Sequence, residues 1–412
     1  MSIQNTLAYL NTSLTAYHAA AHSKQLLEKA GFQPLSLTED WQLANGGRYV
    51  LSTEDGTTIA FVLPEKAWQG FHIIGTHNDS PALRLKPQPE IRRDGCTLLN
   101  IEVYGGPILS TWFDRALSIA GIIYTKGTDW AHPKQHLVTL PQTVTIPSLA
   151  IHMKREAGDI NPQKELLALW GDESAPTIQS TLAEILHIKE EDILSSELYL
   201  VAQEAATLFG AQNEYYRAPR IDNLANAIAA TLAIKDCQPT THAALFMSYH
   251  HEEIGSHTQF GATSPALLGL LEKIQRAYDG RTFIPTDSLI LSCDQAHAAH
   301  PNYPEKCDPV LRPRLNGGPV LKTAASHSYA TTAKGAAMFK MLCEEAHIPH
   351  QTFVNRADMR GGSTIGPLAE VATNIPAIDV GCAMLAMHAI VETAGAKDQL
   401  QMQQLMEAFL NN

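Results

Sequence analysis

Two adjacent carboxylates, Glu252 and Glu253, follow His250 and His251 and precede Ile254-Gly255 at the end of the apolar run Ala243-Ala244-Leu245-Phe246-Met247. Desolvating neighbouring carboxylates at the mouth of a buried strand is costly, so packing alone rarely places them there. Successive side chains leaving a strand point to opposite sides, so one Glu can bind a cation while the other moves a proton. The helical His-Glu-x-x-His zinc motif is excluded: anchored at His251 it needs a second His at position 255, where Gly255 stands, and glycine opposes a helix interior. By residue type alone, a solvated carboxylate pair in a loop competes with the catalytic reading until further ligands are found.

Candidate ligands stand at widely spaced points of the chain. Gly70-Phe71-His72-Ile73-Ile74-Gly75 reads as a short buried strand that empties into Thr76-His77-Asn78-Asp79. In a His-x-Asp unit the imidazole can bind a metal while the carboxylate two residues on accepts its other N–H, although a surface histidine has the same local pattern. Arg220-Ile221-Asp222-Asn223 precedes an Ala-rich helical run, where a plain N-cap also accounts for Asp222. Ser288 to Cys293 is a strand candidate ending at Asp294, with His297 and His300 beyond it. Ala377-Ile378-Asp379-Val380-Gly381 is another, followed by Met387-His388. Three of these sites follow an apolar strand, as expected where an α/β sheet builds its site at strand carboxyl ends.

Two His, two Asp and one Glu suit a pair of divalent ions such as zinc, manganese or cobalt, with one Asp bridging. Metals roughly 3.5–4 Å apart activate a shared water and clamp a developing oxyanion, which makes hydrolysis the reaction class.

The elements that must position these residues divide the chain. Residues 1–90 and 215–412 carry strand-then-helix patterns and all of these ligands, and read as a discontinuous α/β catalytic domain. The segment 91–214 differs in character and reads as an insert. Val138-Thr139-Leu140, Val144-Thr145-Ile146 and Leu198-Tyr199-Leu200-Val201 are β-type runs in it, and 181–194 reads as a charged helical segment. With 412 residues and 45% hydrophobic content, the chain can bury two cores. Thirty basic against forty-two acidic residues give −12, which disfavours a nucleic-acid or anionic-membrane surface. Six dispersed cysteines without a Cys-x-x-Cys pair read as reduced thiols, so a cytoplasmic location is expected. The amino terminus has no leader pattern, and no stretch reaches membrane-spanning length.

The ordered motifs Thr15-Ala16-Tyr17-His18-Ala19, Tyr104-Gly105-Gly106, Ser110-Thr111-Trp112-Phe113-Asp114-Arg115, 294–303, Gly318-Pro319-Val320-Leu321-Lys322, 362–367 and Met387-His388 span nearly the whole chain. Through them the sequence resembles the aspartyl aminopeptidases, dinuclear zinc exopeptidases. The resemblance implies a zinc-exopeptidase-like α/β domain, with a mixed central sheet flanked by helices and an inserted β-rich dimerisation domain. It implies a cytosolic enzyme that removes Asp or Glu from peptide amino termini, assembled from dimers into a dodecamer. Carried over by residue, one metal is bound by His77 and Asp294, the other by Glu253 and His388, and Asp222 bridges. Glu252 is the general base, Asp79 orients His77, and His152 serves a neighbouring subunit's site. Lys322, with Tyr329 nearby, receives an acidic side chain. Asn78, His250 and Arg360 depart from the family pattern, and Arg360 adds a cation near the pocket. A dinuclear hydrolase of broader, neutral or deacylase specificity is the alternative. A non-catalytic assembly protein is the alternative from another class, opposed by the presence of all five ligands and Glu252.

Overall fold

Strands Phe71–His77, Ala243–Tyr249, Leu289–Cys293 and Ala377–Gly381 are almost wholly buried, as their near-continuous apolar sequences require. They lie side by side in the computed structural model, which describes residues 2–153, 158–359 and 361–412. All belong to one nine-stranded mixed sheet. Its order is Gln33–Pro34, Arg48–Ser52, Thr58–Val62, Ala243–Tyr249, Phe71–His77, Leu289–Cys293, Ala377–Gly381, Val320–Lys322, Gln351–Phe353. Phe71–His77 runs parallel to both neighbours, and Leu289–Cys293 runs parallel to Ala377–Gly381. Four parallel strands therefore end at one edge, where chemistry in open α/β sheets collects.

Alternation along the strands separates two cores. Ile74, Ala244, Phe246 and Leu291 face helices Ile221–Asp236 and Ala396–Asn411 through Ala229, Ala233, Met402 and Phe409. Phe71, Ile73, Leu245 and Met247 face helices Ala266–Asp279 and Ile365–Thr373 through Leu271, Ile274 and Ala369. The sheet is thus the middle layer of three, with one apolar set on each pleat face. A five-stranded sheet, Thr207–Phe209, Tyr215–Ala218, Glu392–Gly395, Ala383–Leu385, Ala296–His297, belongs to the same compact unit. That unit comprises Met1–Asp79, Ala206–Met387 and Glu392–Asn412.

The second unit comprises Ser80–Ala205 and His388–Val391. Its six-stranded antiparallel sheet has the order Lys134–Val144, Leu117–Thr125, Ile193–Ala202, Ala82–Arg93, Cys96–Tyr104, Ala168–Asp172. Leu83, Leu99, Ile119, Leu140, Leu182 and Leu200 are among its core residues. The runs around Val138 and Val144 form one strand, whose register shifts opposite Leu117 and Ile119.

The helix expected over 181–194 is shorter and begins earlier, at Ile178–Leu186. The Thr177 side chain accepts from Ser180 N–H and fixes its start, while His187 in the left-handed region closes its end. Glu190–Asp192 is a separate 3-10 turn, and Ile193 already opens a strand. Ile178, Thr181, Leu182 and Ala183 form the buried face, so its phase follows burial and capping rather than the acidic run. Among the described residues, no helix is long and apolar enough to cross a membrane.

Candidate metal centre and active site

His77 ends strand Phe71–His77 and is 1% exposed. Its Nδ1 lies 3.2 Å from the main-chain oxygen of Asp79 and 3.4 Å from the Asp79 carboxylate. Those acceptors favour the proton on Nδ1 and direct the Nε2 lone pair elsewhere. On the Nε2 side stand Asp294 Oδ1 at 3.3 Å and Asp222 Oδ1 at 3.4 Å. Two ligands of a tetrahedral zinc with bonds of about 2.0–2.1 Å stand about 3.3–3.4 Å apart, so these separations match the edges of such a cage.

Ligand atoms of His77, Asp222 and Asp294 all lie within 4.8 Å of one another, as do those of His77, Glu252 and Glu253. Four carboxylates against one imidazole repel strongly without a cation, and a divalent ion offsets that repulsion. The donor set therefore fits zinc. Burial disfavours charge on His77, yet Glu252, followed by Asp222, Asp294 and Asp79, holds its pKa well above the ordinary histidine value. Burial lifts the carboxyls of both Glu252 and Glu253, with His77 opposing in each case.

Glu252–Ile254 is a single 3-10 turn. Gly255, at φ 95°, supplies the left-handed step that ends it and donates its N–H to Glu252 O at 2.8 Å. Asp79 holds the turn from the other side, because its two carboxylate oxygens accept the amides of Glu252 at 3.2 Å and Glu253 at 3.1 Å. One side chain thus connects the His77 loop to both glutamates. Glu252 Oε2 is 4.0 Å from His77 Nε2.

Asp222 and the next residue, Asn223, have non-helical dihedrals where the regular helix begins. The Asp222 N–H donates to Glu392 Oε2 at 3.0 Å, and Asn223 Nδ2 donates to Cys293 O at 2.8 Å. Neither Glu392 nor Asn223 stood out in the sequence. Their partners are 170 and 70 residues away, and no local spacing announces the contact.

Lys322 ends strand Val320–Lys322 and is 2% exposed. Its Nζ donates to Asp294 Oδ2 at 3.2 Å and Gln295 O at 2.9 Å, with the Tyr329 ring centroid 5.3 Å away. Burial opposes the charge, but Asp294 and then Tyr329 and Asp379 outweigh it, so the ammonium is retained. An ammonium has three donors, and these oxygens engage two.

The structure therefore brings together His77, Asp222, Glu252, Glu253 and Asp294, with Asp79 and Lys322 behind them. His152 and His388 belong to the other unit. His152 lies in an exposed turn flanked by Ile151 and Met153, each 75% exposed. His388 Nδ1 lies 3.0 Å from Gly106 O, and the His388 main-chain oxygen accepts the Ile108 N–H at 2.9 Å. Arg360 lies outside the described residues.

Residues 9–410 match the model of a family described as aminopeptidase I zinc metalloprotease (M18). A probable M18 family aminopeptidase 2 of Clostridium novyi is 38% identical over 421 residues, covering 98% of this chain and 97% of that relative. In the cryo-EM structure of the Ape4 and Nbr1 complex, a chain 32% identical superposes with a TM-score of 0.91, covering 99% of this chain and 85% of the other. The S. cerevisiae mApe1 dodecamer gives a TM-score of 0.86 at 25% identity, covering 98% of this chain and 95% of the other. A match of this extent, joined to a centre whose donors fit zinc, leads to one conclusion: the chain belongs to the M18 family and is a zinc aminopeptidase.

Proposed function

We propose that this aminopeptidase is dinuclear, releases amino-terminal Asp or Glu from peptides, and uses Glu252 as general base. The observation that carries the reading is His77 at the meeting point of two donor groups, one with Asp222 and Asp294, the other with Glu252 and Glu253. Two divalent ions, zinc with manganese or cobalt as alternatives, would when bound lower the pKa of a water and offset oxyanion charge. His77 and Asp294 would hold one ion and Glu253 and His388 the other, with Asp222 available to both; this allocation rests on the family resemblance. Glu252 takes the proton of the attacking water and passes it to the leaving amine. Asp79 fixes the imidazole and the glutamate turn together, and Lys322 with Tyr329 receives the acidic side chain.

The second unit serves as the dimerisation domain, and His152 reaches a neighbouring subunit's site to support the tetrahedral intermediate. The dodecameric state of S. cerevisiae mApe1 supports a homododecamer, whereas its assembly from dimers into a chamber that admits peptides rests on the family resemblance. Six free cysteines support a cytoplasmic enzyme. The two bonds from Lys322 to Asp294 and Gln295 favour a second reading, in which Lys322 serves the metal ligand and side-chain preference is broad.

Kinetics on peptides beginning with Asp, Glu, Leu, Ala or Lys, with metal content measured on the same sample, test both. The expected result is a preference of about tenfold or more for Asp and Glu, with two ions per chain and activity lost on chelation. A flat profile selects the second reading, and full activity with one ion or none overturns the dinuclear one.

A further inference from the structure

We propose that the turn 53–57 is a bracket that sets the spacing between the loop carrying His77 and the loop carrying Glu252, with Asn78 and His250 as positioning residues. The turn joins strands Arg48–Ser52 and Thr58–Val62 and is braced internally. Thr53 N–H donates to Thr57 O at 2.9 Å, Gly56 N–H to Thr53 O at 3.1 Å, and Thr57 N–H to Thr53 Oγ1 at 3.1 Å. Two consecutive carbonyls of this braced turn take donors from the two functional loops. Asn78 Nδ2 donates to Gly56 O at 2.7 Å, and His250 Nδ1 donates to Asp55 O.

Asn78 stands between His77 and Asp79, and His250 stands two residues before Glu252. Both donors are 2% exposed, so neither bond competes with bulk water. A carbonyl only accepts, which fixes the His250 proton on Nδ1. The ring is confined further by His251, stacked at 3.8 Å, and by the edge of Tyr17 at 5.3 Å. The loops also meet directly, where Asn78 N–H donates to Tyr249 O at 2.9 Å. Asp79 and the turn thus tie the same two loops at different points, which fixes their separation and relative rotation. The bracket's effect on catalysis rests on the reading of Glu252 as the base: loosening it displaces the proton acceptor relative to His77 while leaving every proposed ligand in the chain.

The test compares zinc-loaded wild type with Asn78→Leu, His250→Leu, the double variant, His250→Asn and Gly56→Ala. His250→Asn keeps an N–H donor near the Nδ1 position. Gly56→Ala disturbs the turn while both donor side chains stay in the chain, because Gly56 has φ +94° and a Cβ there would stand 3.2 Å from Tyr17 Cδ1 and 3.6 Å from His250 Nδ1. Each leucine variant should lose roughly 10- to 100-fold in kcat with KM and metal content unchanged, since a misplacement of about 1 Å costs that much. The double variant should be no worse than about the poorer single one, because both bonds hold one turn. His250→Asn should recover to within about threefold of wild type, and Gly56→Ala should lose kcat like His250→Leu.

Wild-type kcat in both leucine variants, or losses that follow metal loss without recovery in His250→Asn, would overturn the bracket. If the leucine variants fail to fold, the other two decide: wild-type kcat in Gly56→Ala overturns it, and loss there with retention in His250→Asn supports it. Glu252→Gln on the same substrate separates the layers. Full kcat in that variant refutes the base, whereas an inactive Glu252→Gln beside wild-type turn variants refutes only the bracket.

Discussion

Lys322 Nζ lies 3.2 Å from Asp294 Oδ2, so the cation expected to read an acidic substrate also holds the carboxylate beside His77. Lys322→Met keeps most of the stem and removes the charge. It should reduce kcat/KM roughly tenfold on every substrate through Asp294, and by a further thirtyfold or more on Asp and Glu peptides, the range for breaking a buried charge pair. The ratio of acidic to neutral kcat/KM isolates the second effect. An unchanged ratio assigns Lys322 to Asp294 alone.

Glu252→Gln should retain metal and lower kcat by roughly 10²–10⁴, the range for a positioned general base. Glu253→Gln should instead lose metal first. Elemental analysis alongside kinetics distinguishes them, and metal loss in Glu252→Gln but not Glu253→Gln would reverse the assignment.

His152 and Glu252 variants should complement each other in mixed oligomers. His152→Ala and Glu252→Gln chains, each a poor catalyst, should regain activity when co-assembled, because some sites then combine an intact Glu252 with an intact His152 from a neighbour. Verified mixed oligomers that stay inactive would refute action between subunits.

Acid should weaken the fold through two histidines outside the proposed ligand set. Burial first, then Arg220 for His18 and His242 for His72, lowers both to about 4 from the ordinary 6.5. The unfolded chain therefore binds more protons between these values, so this contribution is complete above pH 6.5 and is lost as pH falls toward 4. After discounting for partial exposure, His72 accounts for on the order of 1–2 kcal/mol across that window. His72 Nδ1 lies 2.9 Å from Phe409 O, and the amide of His72→Asn can keep that bond. The fall in Tm between pH 7 and pH 4.5 should be smaller in this variant, and an equal fall would remove His72 from the account.

Apolar continuity made the strands around Ile74, Phe246 and Leu291 legible, since few other elements bury such runs. Asp294 and His77 could be picked out because each follows such a run. The helix over 181–194 was misplaced because its acidic tail suggested helical charge patterning, while Thr177 and His187, which set its ends, looked ordinary. Glu392 was silent for another reason. Its strand is placed by pairing with Tyr215–Ala218, and only that long-range register brings its carboxylate to the Asp222 amide. Asn78 and His250 were visible only as departures from a pattern, because the carbonyls they meet belong to another strand pair.

The pairing of His77 with Asp294 spans 217 residues and depends on strand Leu289–Cys293 docking beside Phe71–His77. A loop of that length closes late, when the intervening chain has found its own contacts. A nascent chain still lacking residue 294 therefore contains His77, Asp222 and both glutamates, yet has no complete cage. Peptidase capacity would appear only after residue 294 is made and the central sheet closes, and a chain arrested before that point should stay inert.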